Sequence, residues 1–128
     1  MENVCKEISG VRFRRVNWTR EIERKLTRAC RGDERVIASQ VLDGQAVLWE
    51  INGGESHLVT RVDFPELVIV CYEGSKVRQV LGVVFIEAKR QGYRNIRFHT
   101  QWAKLIDIFR DYGPEPLEYV VRIPCNGR

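Results

Sequence analysis

The sequence predicts an α/β (α+β) domain in which a mixed, mostly antiparallel sheet carries helices on both faces. Three observations point there. Glu66–Gly74 (ELVIVCYEG) is an apolar run of strand length, too short for an ordinary helix. Beyond it, Val77, Val80, Leu81, Val84, Phe85 and Ala88 recur at the spacing of one helix face. Before it, two shorter strand-like segments are joined by tight turns, which makes an antiparallel meander. At 128 residues, with 44% apolar and 30% charged side chains, the chain is expected to be one domain, 1–128, with a single ordinary core.

The elements follow in order. Val11-Arg12-Phe13-Arg14-Arg15-Val16 alternates apolar and basic residues, as a half-exposed strand does. Asn17 is a candidate N-cap for a helix whose inner face holds Ile22, Leu26, Ala29 and Cys30, stopped by Gly32. Val36–Leu42 reads two ways. Asp43-Gly44 is a hairpin signal, yet VIASQVL does not alternate, and Ile37 with Val41 fits a short helix, the favoured reading. Gln45–Ile51, His57–Val62 and Glu66–Tyr72 are the strands of the meander, turning at Asn52-Gly53-Gly54 and at Asp63-Phe64-Pro65. The long helix ends at Gly92, and Ile96 and Phe98 lie in the next strand. Leu105, Ile108, Phe109 and Tyr112 mark a shorter helix before Gly113-Pro114, and Leu117–Ile123 is the closing strand. Leu81, Val84, Phe85 and Phe98 are expected to share one core with Val68 and Val70.

Several function classes recede. No run approaches the roughly 20 apolar residues of a membrane helix, and Met1–Glu7 has no apolar signal region. Cys5, Cys30, Cys71 and Cys125 are widely spaced without a CxxC, which fits reduced cytoplasmic thiols better than a disulfide framework or a zinc site. Charge is blocked along the chain: +6 over residues 12–31, −6 over 32–73 and +6 over 74–104. Such blocks are solvated or mutually pairing faces more often than nucleic-acid surfaces, and no aromatic–basic interleaving favours the latter. No Ser–His–Asp or Cys–His spacing and no metal-ligand cluster is visible.

The remaining signal is the strand–turn–helix junction at Tyr72-Glu73-Gly74-Ser75-Lys76-Val77-Arg78, a place where α/β folds commonly hold phosphate-bearing ligands. The element order, together with the runs AKRQGYRNIRFHT and IDIFRDYGPEPLEYVVRI, resembles the GNAT N-acetyltransferase superfamily. It is most similar to that family's short, divergent bacteriophage and prophage members, with Val47-Leu48-Trp49 and Val59-Thr60-Arg61-Val62 as the corresponding strands.

The resemblance implies an acyl-CoA-dependent N-acyltransferase, with acetyl-CoA bound weakly or no longer. Its fourth and fifth strands would splay, leaving the backbone of Val70, Cys71 and Tyr72 for the pantetheine arm. The family turn Q/R-x-x-G-x-G/A would fall on Gly74, Ser75, Lys76 and Arg78, with only Gly74 retained and the later glycine on Lys76, Val77 or Arg78. Ser75, Lys76 and Arg78 would offer a hydroxyl and two cations instead. The family's proton-donating tyrosine falls on Phe109, leaving Tyr112 as a displaced stand-in, and its asparagine falls on Trp102. Glu50 and Asp63 are the candidate general bases, with His57 and His99 behind them. The partner would be an unidentified amine or, in a non-catalytic scaffold within a phage assembly, another protein. Location would be cytoplasmic, or in the virion if the chain is phage-encoded.

Overall fold

In the computed structural model, residues 5–30, 32–98 and 109–114 are described. Six strands form one sheet in sequence order: β1 (Cys5–Ile8), β2 (Val11–Val16), β3 (Ala46–Ile51), β4 (Ser56–Asp63), β5 (Glu66–Gly74) and β6 (Asn95–Phe98). The first five pair antiparallel, while β5 and β6 pair parallel across the crossover helix α3 (Val77–Arg90). Helices α1 (Arg20–Cys30) and α2 (Glu34–Leu42) connect β2 to β3.

Two cores sit on opposite faces of the sheet. Val11, Phe13, Ile51, Leu58 and Ile69 pack with Val80, Leu81, Val84 and Phe109 on the α3 face. Leu48, Val59 and Cys71 pack with Leu26, Cys30 and Ile37 on the α1–α2 face. Helices on both faces and a mostly antiparallel mixed sheet are therefore as the sequence predicts.

Four details differ from the sequence reading or refine it. Strand β1 was not anticipated; it joins β2 through Ser9 (φ 51°) and Gly10 (φ 81°), the paired positive φ angles of a tight hairpin. Helix α1 starts at Arg20, and its cap is Thr19 rather than Asn17: the Thr19 hydroxyl accepts from Ile22 N at 3.2 Å. The 36–42 segment lies in a helix, with Ile37 and Ala38 buried against the sheet.

The fourth concerns Val70, which joins the α1–α2 core and not the α3 core. The cause is the phase of β5: Leu67 and Ile69 face α3, so Val70 turns to the other side, and Val68 is likewise absent from the α3 core. A register shift in which Val59 faces Cys71 while Thr60 faces Ile69 then makes Val70 an extra residue and keeps Cys71 on the side of Val70. Such a bulge reverses the alternation of the strand and bends it. Phe85 and Phe98 are partly buried against the α3 core, so neither is its centre. Of the expected fourth helix, Arg110–Tyr112 forms a 3-10 turn ended by Gly113 (φ 66°). Residues 99–108, with His99, Trp102, Leu105 and Ile108, and the expected strand 117–123 lie outside the described residues.

Candidate functional site

The bulge sets the geometry of the site. Parallel pairing of β5 with β6 is described from Glu66↔Asn95 to Ile69↔Phe98, and Val70 follows as the inserted residue. Among the described residues, Cys71 and Tyr72 pair with Val59 and Leu58 of β4, and Val70 is the unpaired residue of the bulge. Their backbone groups are the ones the sequence reading assigned to a pantetheine arm.

At the end of β5 the chain must turn sharply into α3, and β4 holds it in place. Gly74 lies opposite Ser56 with φ 115°, and a Cβ there would come within 2.5–2.7 Å of Ser56 atoms, its Cα included. Conformation and close approach both demand glycine. The Ser56 hydroxyl donates to the Ser75 carbonyl at 3.0 Å, and the Tyr72 hydroxyl donates to the same oxygen. Burial pushes the Tyr72 phenol above its ordinary range, so the proton stays on the donor.

With Ser75 anchored, Lys76 occupies the N-cap of α3 in the left-handed region (φ 58°). Of the three positions Lys76, Val77 and Arg78, Lys76 alone has the left-handed backbone that favours glycine, since Val77 and Arg78 are helical. The first backbone bond into α3 runs from Val80 N to Lys76 O at 3.0 Å. The amides of Val77, Arg78 and Gln79 thus have no earlier intrahelical acceptor, and they face outward at the positive end of a 14-residue helix.

Both cations at the junction have acidic neighbours. Lys76 Nζ lies 3.3 Å from Glu55, and an Arg78 guanidinium nitrogen lies 3.7 Å from Asp111. Exposed pairs of this kind contribute less than about 1 kcal/mol, so neither cation is firmly committed. Beside them runs an open groove of about 560 Å³ between α3 and the 3-10 turn, lined by Lys76, Arg78, Gln79, Gly82, Val83, Ile86 and Tyr112. Tyr112 reaches it by lying over Gly82, where an added Cβ would be 3.2 Å from the phenol oxygen. Its ring stands edge-on to Phe85 at 5.1 Å.

Phe109 is 1% exposed and packs 4.9 Å from Phe85. It is a core residue, so the absence of a phenol at this position goes with burial there.

The candidate bases separate. Glu50 belongs to a row crossing four strands, Arg14–Glu50–His57–Glu73, in which register pairs each residue with the next. Arg14 meets Glu50 at 3.0 Å, and His57 Nδ1 meets Glu73 at 2.7 Å. His57 is 2% exposed. The row is level with the Gly74 turn. Asp63 is at the other end of β4, opposite Glu66, and Arg97 binds both carboxylates at 3.0 and 3.1 Å. The structure therefore brings Gly74, Ser75, Lys76, Arg78 and Tyr112 to one end of the β5–α3 unit, with Val70, Cys71 and Tyr72 leading to it. It sets Glu50 two strands away and does not bring Asp63 to that end.

Sequence reasoning missed Ser56 and Glu73. Ser56 follows the Gly-Gly turn as the strand's first residue, and only the β4–β5 register reveals that it clamps the loop. Among the described residues no group of His, Cys, Asp or Glu could hold a metal ion, and no helix is long and apolar enough to cross a membrane.

No protein-family model matches the chain, and no curated protein matches it. Two solved structures are similar. YycN of Bacillus subtilis, described as a candidate acetyltransferase, is 13% identical with a TM-score of 0.51, over 88% of this chain and 98% of that one. TTHA1254 of Thermus thermophilus is 21% identical with a TM-score of 0.43, over 86% of this chain and 96% of that one. At such identity the likeness to YycN bears on fold alone: the chain has a GNAT-like α+β architecture.

Proposed function

We propose that the protein binds an acyl-CoA thioester along β5 and at the β5–α3 junction, and transfers its acyl group to an amine. One observation carries this reading. A bulged strand runs into a turn with positive φ at Gly74 and Lys76, directly before a helix N-terminus flanked by two cations. The residues fit the diphosphate end of such a molecule: the amides of Val77–Gln79 with Lys76 and Arg78 would hold it. The thioester supplies an activated acyl carbonyl. Backbone groups of Val70–Tyr72 would orient the arm, and positioning does most of the work in a direct attack by an amine. The Tyr112 phenol, in the groove beside the two cations, would donate a proton to the departing sulfur. Glu50, within its charged row, would accept the amine proton directly or through water.

A second reading, a non-catalytic scaffold in a phage assembly or another protein complex, is favoured by a separate observation. Lys76 and Arg78 already have acidic partners, and the usual acid position is the buried Phe109.

Calorimetric titration with acetyl-CoA separates the two. Binding is expected to be weak, because Lys76 brings a side chain to a left-handed position that favours glycine. The Lys76→Ala, Arg78→Ala double variant is expected to abolish it, since each charge-assisted contact contributes roughly 1.5–3 kcal/mol. Micromolar affinity unaffected by both changes would overturn the site assignment. No heat with the unmodified protein would favour the scaffold.

A further inference from the structure

On the α1–α2 face, Cys30 and Cys71 lie together although 41 residues separate them in sequence, with a Sγ–Sγ distance of 3.7 Å. Cys30 is the last residue of α1, and Cys71 lies on β5 next to the inserted Val70. They are 4% and 6% exposed. A contact this close leaves only a short movement to the roughly 2.05 Å of a disulfide. The movement is available at Cys30, because the last turn of a helix frays, and fraying would also admit a small oxidant. The acyl-transfer reading assigns nothing to either sulfur.

We propose that Cys30 and Cys71 are a dithiol that closes to a disulfide under peroxide, fastening the end of α1 to β5 beside its bulge. The Cys30 thiolate attacks one oxygen of hydrogen peroxide, the O–O bond breaks, and Cys30 becomes a sulfenic acid as hydroxide leaves. The Cys71 sulfur then attacks the Cys30 sulfur. The S–S bond forms, the S–O bond breaks, and the departing hydroxide takes the Cys71 proton as water. Overall, two thiols lose two electrons and two protons, and one peroxide becomes two waters. The polarity of the pair supports this order. Either thiol can donate across this contact, and it is donation from Cys71 that favours a thiolate on Cys30, lowering the Cys30 pKa and raising that of Cys71, which burial raises further. The product closes a long loop of chain and so restricts the unfolded state.

The test uses the full chain carrying Cys5→Ser and Cys125→Ser, so that only this pair remains. The folded protein is treated with hydrogen peroxide, quenched, unfolded and alkylated, with circular dichroism confirming that the fold survives treatment. The expected result is loss of both alkylation sites at once, recovered by dithiothreitol, in a monomer. The oxidised form should melt at least about 5 °C above the reduced form. Adding Cys30→Ala or Cys71→Ala should eliminate the reversible double loss and the rise in Tm. Two thiols still alkylated after treatment, a pair ending as sulfinic acid, or cross-linked dimers in place of the internal bond would each overturn the proposal.

Discussion

Gly74→Ala is expected to destabilise the protein by about 3 kcal/mol or more, read as a lowered midpoint in a denaturant melt with unchanged slope. Two costs combine at this position. The new side chain would hold a φ of 115°, and its Cβ would lie within 2.7 Å of Ser56 Cα, a backbone atom that cannot swing away. Relief requires β4 and β5 to part at their paired ends, which would also break the Ser56 hydroxyl bond to Ser75. Lys76→Gly should act in the opposite sense. It frees a left-handed residue of its Cβ and is expected to stabilise by about 0.5–1 kcal/mol, despite loss of the exposed contact to Glu55. A Gly74→Ala variant within about 0.5 kcal/mol of the parent would show that the turn is not the one described.

Phe109→Ala is expected to cost about 3–5 kcal/mol, the range for emptying a buried aromatic site. Among the described residues Phe109 is the largest of the fully buried side chains, and it packs against Phe85 within the α3 core. Phe85→Ala should cost less, because Phe85 is only partly buried and its neighbours Phe109 and Tyr112 can close over the gap. Equal losses from the two substitutions in a chemical melt would contradict this ranking.

The meander, α3 and the strand that follows it were legible in the sequence because each has a clear period or turn signal. Strand β1 was missed because its four residues are largely exposed and show no alternation, although the Ser9-Gly10 pair marks its turn. The bulge at Val70 was illegible for a different reason. A strand covered on both faces is apolar almost throughout, so an inserted residue leaves no break in pattern. Of the candidate site, the loop Gly74-Ser75-Lys76 could be found from its place after a strand. The clamp by Ser56 could not, because it depends on the pairing of β4 with β5. Cys30 meeting Cys71 is likewise a product of α1 packing on β5. Asp63 looked like a base on residue type alone; its carboxylate is held by Arg97 at the far end of β4.

If an acyl-CoA thioester lies along β5 and against the start of α3, the amides there must sense it. Backbone amide shifts of isotope-labelled protein, followed by NMR during titration with acetyl-CoA, test this residue by residue. Saturable shifts are expected to concentrate on Ser75, Val77, Arg78 and Gln79, with a second group at Val70–Tyr72. Amides at these positions that stay unmoved at saturating ligand, or shifts confined to another face of the sheet, would contradict it.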